Sequence, residues 1–474
     1  MANVKILLLA ALLAVMPVSC DIFIDINQIG SDNDLNTLEE NSFYAQDMVT
    51  EKYYKVMAEK LYEGDKCVIW AEKKARITER KAKEIANIYD MTIRPKIVGS
   101  FSKKDFVVKE GDKTYPFDDM LDYANWLAGR DDKKLTILLL DIKDNFSKTA
   151  SYVAGYFSGG NFYPKGRIKG SKHYSNSMDM IYVDTYPGLE MEPRQTYATF
   201  AHELQHLINF VTSRQMNRPS MDTWIDEGLS SQAEYLYLKE NPREKCEWFI
   251  NDKEGTIAQG NNFFVWDNHR DKSLSILDDY ATVYLFFRWL YLQADPELQS
   301  HIFLDIETSN SYNYWAVTNT AKRINPAWEK WEDLLKTWLA ANYYPKNSYG
   351  YTGDNYLQRI ITVKPIAGQT TSLYPGEGVY SIINHPFSAG TGGNIRYAGL
   401  VEHETGIGAS SPYTGNVLLT FNANTNNAAK SETGNLTGVS TVVPRTAAGN
   451  SQTGTLTGPY VIDARDMLNK TKKR

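Results

Sequence analysis

The stretch Thr199-Phe200-Ala201-His202-Glu203-Leu204-Gln205-His206-Leu207-Ile208-Asn209-Phe210 decides how this chain reads. Its two histidines are four positions apart and share one face of a helix. A pair of imidazoles at that spacing can grip one small cation, and zinc takes nitrogen ligands at about 2.0–2.1 Å. Glu203 stands one step round the helix, where its carboxylate can reach water on the ion without ligating it. Tyr197, Phe200, Leu204, Leu207 and Ile208 make the other faces apolar, so a buried helix is predicted over about 195–212. Histidine is scarce, 7 in 474 residues. Two of them buried around a glutamate carry a cost of about 1–3 kcal/mol for each unsatisfied group unless something binds them. The competing reading is a buried helix whose histidines are merely hydrogen-bonded.

A catalytic zinc takes three protein ligands and keeps one position for water. The third ligand is expected in Trp224-Ile225-Asp226-Glu227-Gly228-Leu229-Ser230, which opens a helix some twenty residues past His206. Glu227 is the predicted ligand. Glu234, in the same predicted helix, is the rival; otherwise it reads as a solvated or salt-bridged carboxylate.

Taken together, the two phrases resemble the gluzincin metallopeptidases, which pair a His-Glu-x-x-His helix with a Glu on a second helix. More narrowly, residues 199–210 and the Asp226-Glu227-Gly228 phrase are similar to the hyicolysin family of secreted bacterial neutral proteases. The likeness covers about residues 60–340 and is sharpest over 197–238. It implies one catalytic Zn2+ on His202, His206 and Glu227, and hydrolysis of peptide bonds through a zinc-activated water with Glu203 as general base. It also implies an α+β, thermolysin-like catalytic domain: an α/β half, a helical half and a zinc cleft between them.

The chain departs from that pattern in places. The interval from His206 to Glu227 is slightly longer than in the aminopeptidase branch. Asp226 stands where relatives often carry Asn, and it can orient a ligand histidine by accepting its ring N–H. Ser231 stands where thermolysin-like enzymes carry Asp, so the partner of the other imidazole must come from elsewhere. Charge that builds on a peptide oxygen calls for a donor, which gluzincins supply as Tyr or His from the helical half. Tyr280 is the candidate, with Tyr284 and His269 as runners-up; the competing reading for any of the 31 tyrosines is a packing aromatic. Residues 152–160 read as an edge strand to which an extended substrate adds, or as an ordinary strand with a loose end. Gly188-Leu189-Glu190-Met191-Glu192 faintly echoes the aminopeptidase signature for a free N-terminus. It has the wrong length and runs into Pro193, so it reads as the entry to the active-site helix and favours endopeptidase action.

Outward from the centre, the chain divides by composition. Residues 1–19 carry Lys5 and the apolar run Ile6–Met16, a signal peptide of lipoprotein type. Pro17-Val18-Ser19-Cys20 resembles a lipobox, with Cys20 lipidated and Pro17 in the usual place of Leu. Residues 20–45 read as a polar tether. Within it, residues 25–30 loosely echo a calcium loop but lack its ligands. Residues 46–215 form the α/β half: an amphipathic helix over 46–62, a strand at Cys67–Ala71, helices over 78–89 and 117–127, and strands at 135–140, 152–157 and 180–183. Residues 216–345 are nearly all helical, with Asp278 and Asp279 capping an apolar helix through Leu292. Residues 346–474 turn to Gly, Thr, Ser and Asn with short apolar runs and read as a C-terminal β-sandwich-like domain.

Apolar residues make up 42% and charged residues 23%, globular proportions that exclude wholesale disorder. The net charge of −6 and the lack of a basic face argue against nucleic acid as a partner. Of three cysteines, Cys67 and Cys246 read as a disulfide or as two separate core thiols. The expectation is an exported zinc metalloendopeptidase acting on proteins or peptides, held at a bilayer through Cys20 in the cell envelope or otherwise secreted. Two alternatives stand beside it. One is a surface lipoprotein that works as a binding or adhesion module with a structural or silent zinc site. The other is a zinc aminopeptidase.

Overall fold

The computed structural model describes residues 39–149, 151–250, 263–264, 277–363, 365, 373, 375–382, 393–400, 407–408, 417–425 and 460–463. The signal peptide, Cys20, the calcium-like stretch at 25–30 and His269 lie outside the described residues.

Fifteen strands are described. They are β1 (Ser42–Gln46), β2 (Tyr53–Glu63), β3 (Cys67–Glu72), β4 (Lys104–Glu110), β5 (Lys113–Asp119), β6 (Leu135–Leu140), β7 (Ser151–Phe157), β8 (Gly166–Arg167), β9 (Tyr174–Ser175), β10 (Met180–Asp184), β11 (Gly378–Ile382), β12 (Ile395–Leu400), β13 (Ile407–Gly408), β14 (Val417–Asn422) and β15 (Tyr460–Asp463). A seven-stranded sheet runs β1-β2-β3-β6-β10-β7-β15. Its centre is parallel, with β6 between β3 and β10, and its flanks are antiparallel. Every residue of β6 is buried, which is why the run Leu135–Leu140 shows no alternation. The chain is therefore mixed α+β.

Two differences from the sequence reading fall in the first strands. The predicted helix over 46–62 is instead the end of β1 and most of β2. Lys, Ala, Glu and Leu favour a helix locally, yet Val56 and Ala58 are the buried pair of β2, a period of two set by pairing with β1 on one side and β3 on the other. Residues 42–45, read as the end of a tether, pair together with Gln46 as β1. The helix expected from Phe117 starts at Met120, because Phe117 belongs to β5 and Asp119 is the cap, accepting from the amides of Leu121 and Asp122 at 2.9 and 3.1 Å.

Helix α1 (Glu79–Ile88) starts as expected, with Thr78 Oγ1 accepting from the Lys81 amide at 3.2 Å. Helices α2 (Arg94–Phe101) and α3 (Met120–Leu127) follow, with a single turn, α4 (Phe146–Thr149), before β7. Helix α5 (Pro193–Gln215) is buried without a break from Thr196 to Ser213. It packs on β7 and β10, and at Gly155 the two come into close approach. A Cβ built there would lie 2.8 Å from Thr199 Cγ2 and 2.9 Å from the Tyr182 carbonyl oxygen, so only glycine lets sheet and helix meet here. The turn Thr185–Leu189 delivers the chain into α5, with the Gly188 amide donating to Asp184 Oδ2 at 2.8 Å. This is the helix-entry role expected of the Gly188–Glu192 stretch.

Helix α6 (Thr223–Leu238) and α7 (Arg243–Ile250) open the helical region. The described residues fall into two compact units: those within 1–221, 232–240 and 453–474, and those within 222–231 and 241–452. The four-stranded antiparallel sheet β11-β14-β12-β13 falls in the second unit together with the helices. Strand β15 instead joins the large sheet, so β7 is not the sheet's last strand and the expected free edge is occupied. Both described cysteines are buried and free, the second of the two readings; burial pushes both thiols well above their usual range. No described helix is long and apolar enough to cross a membrane.

Candidate metal centre

The centre is built on α5 and α6. His202 and His206 fall one turn apart on α5, with ring centroids 4.7 Å apart and planes at 79°. Both rings are fully buried, as are Glu203 and Glu227. His202, His206 and Glu227 each offer one ligand atom, and these atoms all lie within 4.8 Å of one another. Ligands about 2.0–2.2 Å from a tetrahedral ion sit roughly 3.4 Å apart. Small side-chain rotations close that gap, so two imidazoles and a carboxylate in this cluster fit zinc by donor type and by spacing.

The phrase around Glu227 explains how that carboxylate is held. Trp224 is buried in an aromatic cluster, with ring centroids 5.3 Å from Phe263, 5.4 Å from Trp331 and 5.8 Å from Phe287. Gly228 faces Phe287 so closely that a Cβ would lie 2.2 Å from its ring. Phe287 belongs to the helix Leu277–Gln293. Trp224 on one side of Glu227 and Gly228 on the other therefore fix the first turns of α6 against that helix. Indole bulk and glycine's missing side chain are the reasons for those residue types at these positions.

Glu234, the rival ligand, takes another place. Its Oε1 accepts a hydrogen bond from His202 Nδ1 at 2.6 Å, and both side chains are fully buried. A carboxylate on Nδ1 fixes the tautomer and turns Nε2 toward an ion. The partner that Ser231 cannot provide is thus supplied from the helix turn after it. The 32-residue separation in sequence hides this contact; the signal that could have found it is the seven-residue step from Glu227, which returns to nearly the same face of a helix. Ser231 Oγ accepts from the buried Lys245 Nζ at 2.9 Å.

The other expected residues are placed as follows. Asp226 is buried beside Glu227 in α6. Tyr280 is buried in the first turn of Leu277–Gln293, with the Lys245 ammonium 5.7 Å from its ring centroid. Tyr284 donates its hydroxyl to Asn241 Oδ1 at 2.6 Å. Asp278, expected as a cap, lies inside that helix and accepts from the Trp248 indole.

No protein-family model matches the chain. A curated relative does: the chain is 29% identical over 275 residues to the neutral metalloprotease ShpI of Staphylococcus hyicus, across 56% of this chain and 55% of the relative. The chain resembles the neutral metalloproteases. It spans about half the length of the relative it matches. The likeness to a neutral metalloprotease agrees with the donor set of two imidazoles and a carboxylate, and the two together support a metal-dependent hydrolase.

Proposed function

We propose that the chain is an exported zinc-dependent metalloendopeptidase. The observation that carries this reading is the gathering of His202, His206 and Glu227 within 4.8 Å, with Glu203 buried between the two histidines on α5. His202, His206 and Glu227 would hold a zinc ion through one atom each, and an ion there would supply Lewis acidity toward a peptide carbonyl and lower the pKa of water to about 7.

The chain's own groups do the rest. Glu203 takes a proton from the attacking water and delivers it to the leaving amine. Glu234 holds the His202 ring through Nδ1, and Asp226 accepts the ring N–H of the other imidazole. Tyr280 donates to the carbonyl oxygen as charge builds on it, a role that contributes about 3–4 kcal/mol where such donors have been removed. Proteins or peptides are the substrates. The Gly188–Glu192 turn serves as the entrance to α5, which favours cleavage within chains over removal of N-terminal residues. Export rests on Lys5 and the apolar run Ile6–Met16, and attachment to a bilayer rests on Cys20.

The test is Glu203→Gln in the full chain. Bound zinc, measured by elemental analysis, should be unchanged, while casein hydrolysis falls about 10²- to 10⁴-fold. Retained proteolysis refutes the assignment of the base. A wild-type chain that binds zinc but cleaves nothing, with or without chelator, supports the binding-module account instead.

A further inference from the structure

Gly155 marks the place where the large sheet meets the helix that carries Glu203. A Cβ built on it would lie 3.3 Å from Glu203 Cγ, so β7 passes directly beside the proposed base. The inner edge of β7 is taken by β10, with Val183 opposite Gly155 and Tyr182 opposite Tyr156. Its outer edge is taken by β15, antiparallel, with Tyr460 opposite Gly155, Val461 opposite Val153, Ile462 opposite Tyr152 and Asp463 opposite Ser151. The register slips between Tyr460 and Val461, which places the irregularity next to Gly155. Bulges concentrate at sheet edges and beside active sites.

An edge strand is a template for an extended peptide: the main chain provides affinity through ladder hydrogen bonds. β15 is such a peptide. It is four residues long and, among the described residues, pairs in the sheet with β7 alone. It comes from the far end of the chain, after residues 423–459, where Thr, Gly, Asn, Ser and Ala predominate. A four-residue strand paired on one side is weakly held. A covalently attached occupant nevertheless competes at an effective concentration on the order of mM.

We propose that Tyr460–Asp463 is an intramolecular occupant of the edge on which an extended peptide docks beside Glu203, so that its release governs entry of substrate. The regulatory consequence rests on the peptidase reading above; the occupancy rests on backbone pairing alone. A peptide arriving from solution must displace β15, and its apparent affinity is reduced by the fraction of molecules in which the edge is open.

The experiment uses the full chain carrying Glu203→Gln, so that the probe is not cut, with and without the pair Val461→Pro and Ile462→Pro. Proline removes the N–H from two consecutive residues, one of which faces β7. The probe is a fluorescein-labelled peptide with the sequence of residues 458–465, read by anisotropy. It should bind the proline variant at least tenfold more tightly than the parent. Equal binding with unchanged circular dichroism overturns the proposal. Hydrogen exchange on the parent avoids any dependence on the variant's folding: saturating peptide should expose the amides of 460–463 and leave those of 152–157 protected, and unchanged protection at 460–463 overturns it. With Glu203 restored, the proline variant should cleave a short peptide with at least tenfold higher kcat/KM, and the unlabelled peptide should inhibit it competitively. Lower activity in a folded variant would make β15 a working part of the enzyme and overturn the regulatory role. No cleavage by either chain, with the binding difference intact, would sink the peptidase reading and leave the occupancy standing.

Discussion

At the residue scale, Glu234 is fully buried and its Oε1 accepts from His202 Nδ1 at 2.6 Å, so in the proposed zinc site it serves as a positioning residue for that ring. A ligand imidazole without its carboxylate loses orientation and basicity, and such losses cost about 10- to 100-fold in metal affinity. Glu234→Ala should therefore raise the zinc dissociation constant by that factor in a chelator competition, with Glu234→Gln in between because its amide oxygen still accepts the Nδ1–H. Unchanged affinity in Glu234→Ala would remove the positioning role.

At the element scale, the geometry of Glu227 depends on how closely α6 approaches the helix Leu277–Gln293. Gly228 makes that approach possible, since a Cβ would lie 2.2 Å from the Phe287 ring. Gly228→Ala must push one helix or turn the ring, an overpacking cost of about 1–3 kcal/mol. The expected outcome is a lower thermal midpoint together with weaker zinc binding, because Glu227 is the neighbouring residue. A variant with wild-type zinc affinity and a lowered midpoint would show that the helix start is held by Trp224 alone. Gly155 does the same between sheet and α5. Both glycines stand in sequence as ordinary glycines, and nothing in the chain announces that an aromatic ring or a carbonyl oxygen is their neighbour.

At the scale of the whole molecule, stability should carry the mark of Asp184. Burial pushes its carboxyl up to about 8, against the lowering effect of hydrogen bonds from the Gly188 and Ile142 amides. The ordinary value for an aspartate, as in the unfolded chain, is 3.8. Between those values the folded chain keeps a proton that the unfolded chain has released, so this group's contribution to stability is full below about pH 4 and declines as pH rises through about 8. Asp184→Asn removes the group, so the fall in unfolding midpoint between pH 5 and pH 8 should be shallower in the variant; equal slopes would refute the raised value. That His202, Glu203 and His206 share one buried helix was legible in the chain, because a helix repeats every 3.6 residues and puts the two histidines on one face whatever surrounds it. So were the strand Leu135–Leu140 and the cap at Thr78, which depend on neighbours close in the chain. The remaining features depend on contacts between segments far apart in the chain. Tyr53–Glu63 is a strand because it lies between two partners that override its helical composition. Glu234 serves His202 from 32 residues away, and Tyr460–Asp463 closes an edge formed some three hundred residues earlier. Those outcomes are pairings between distant segments, and local periodicity carries no information about which distant partner a strand edge or a buried carboxylate will meet.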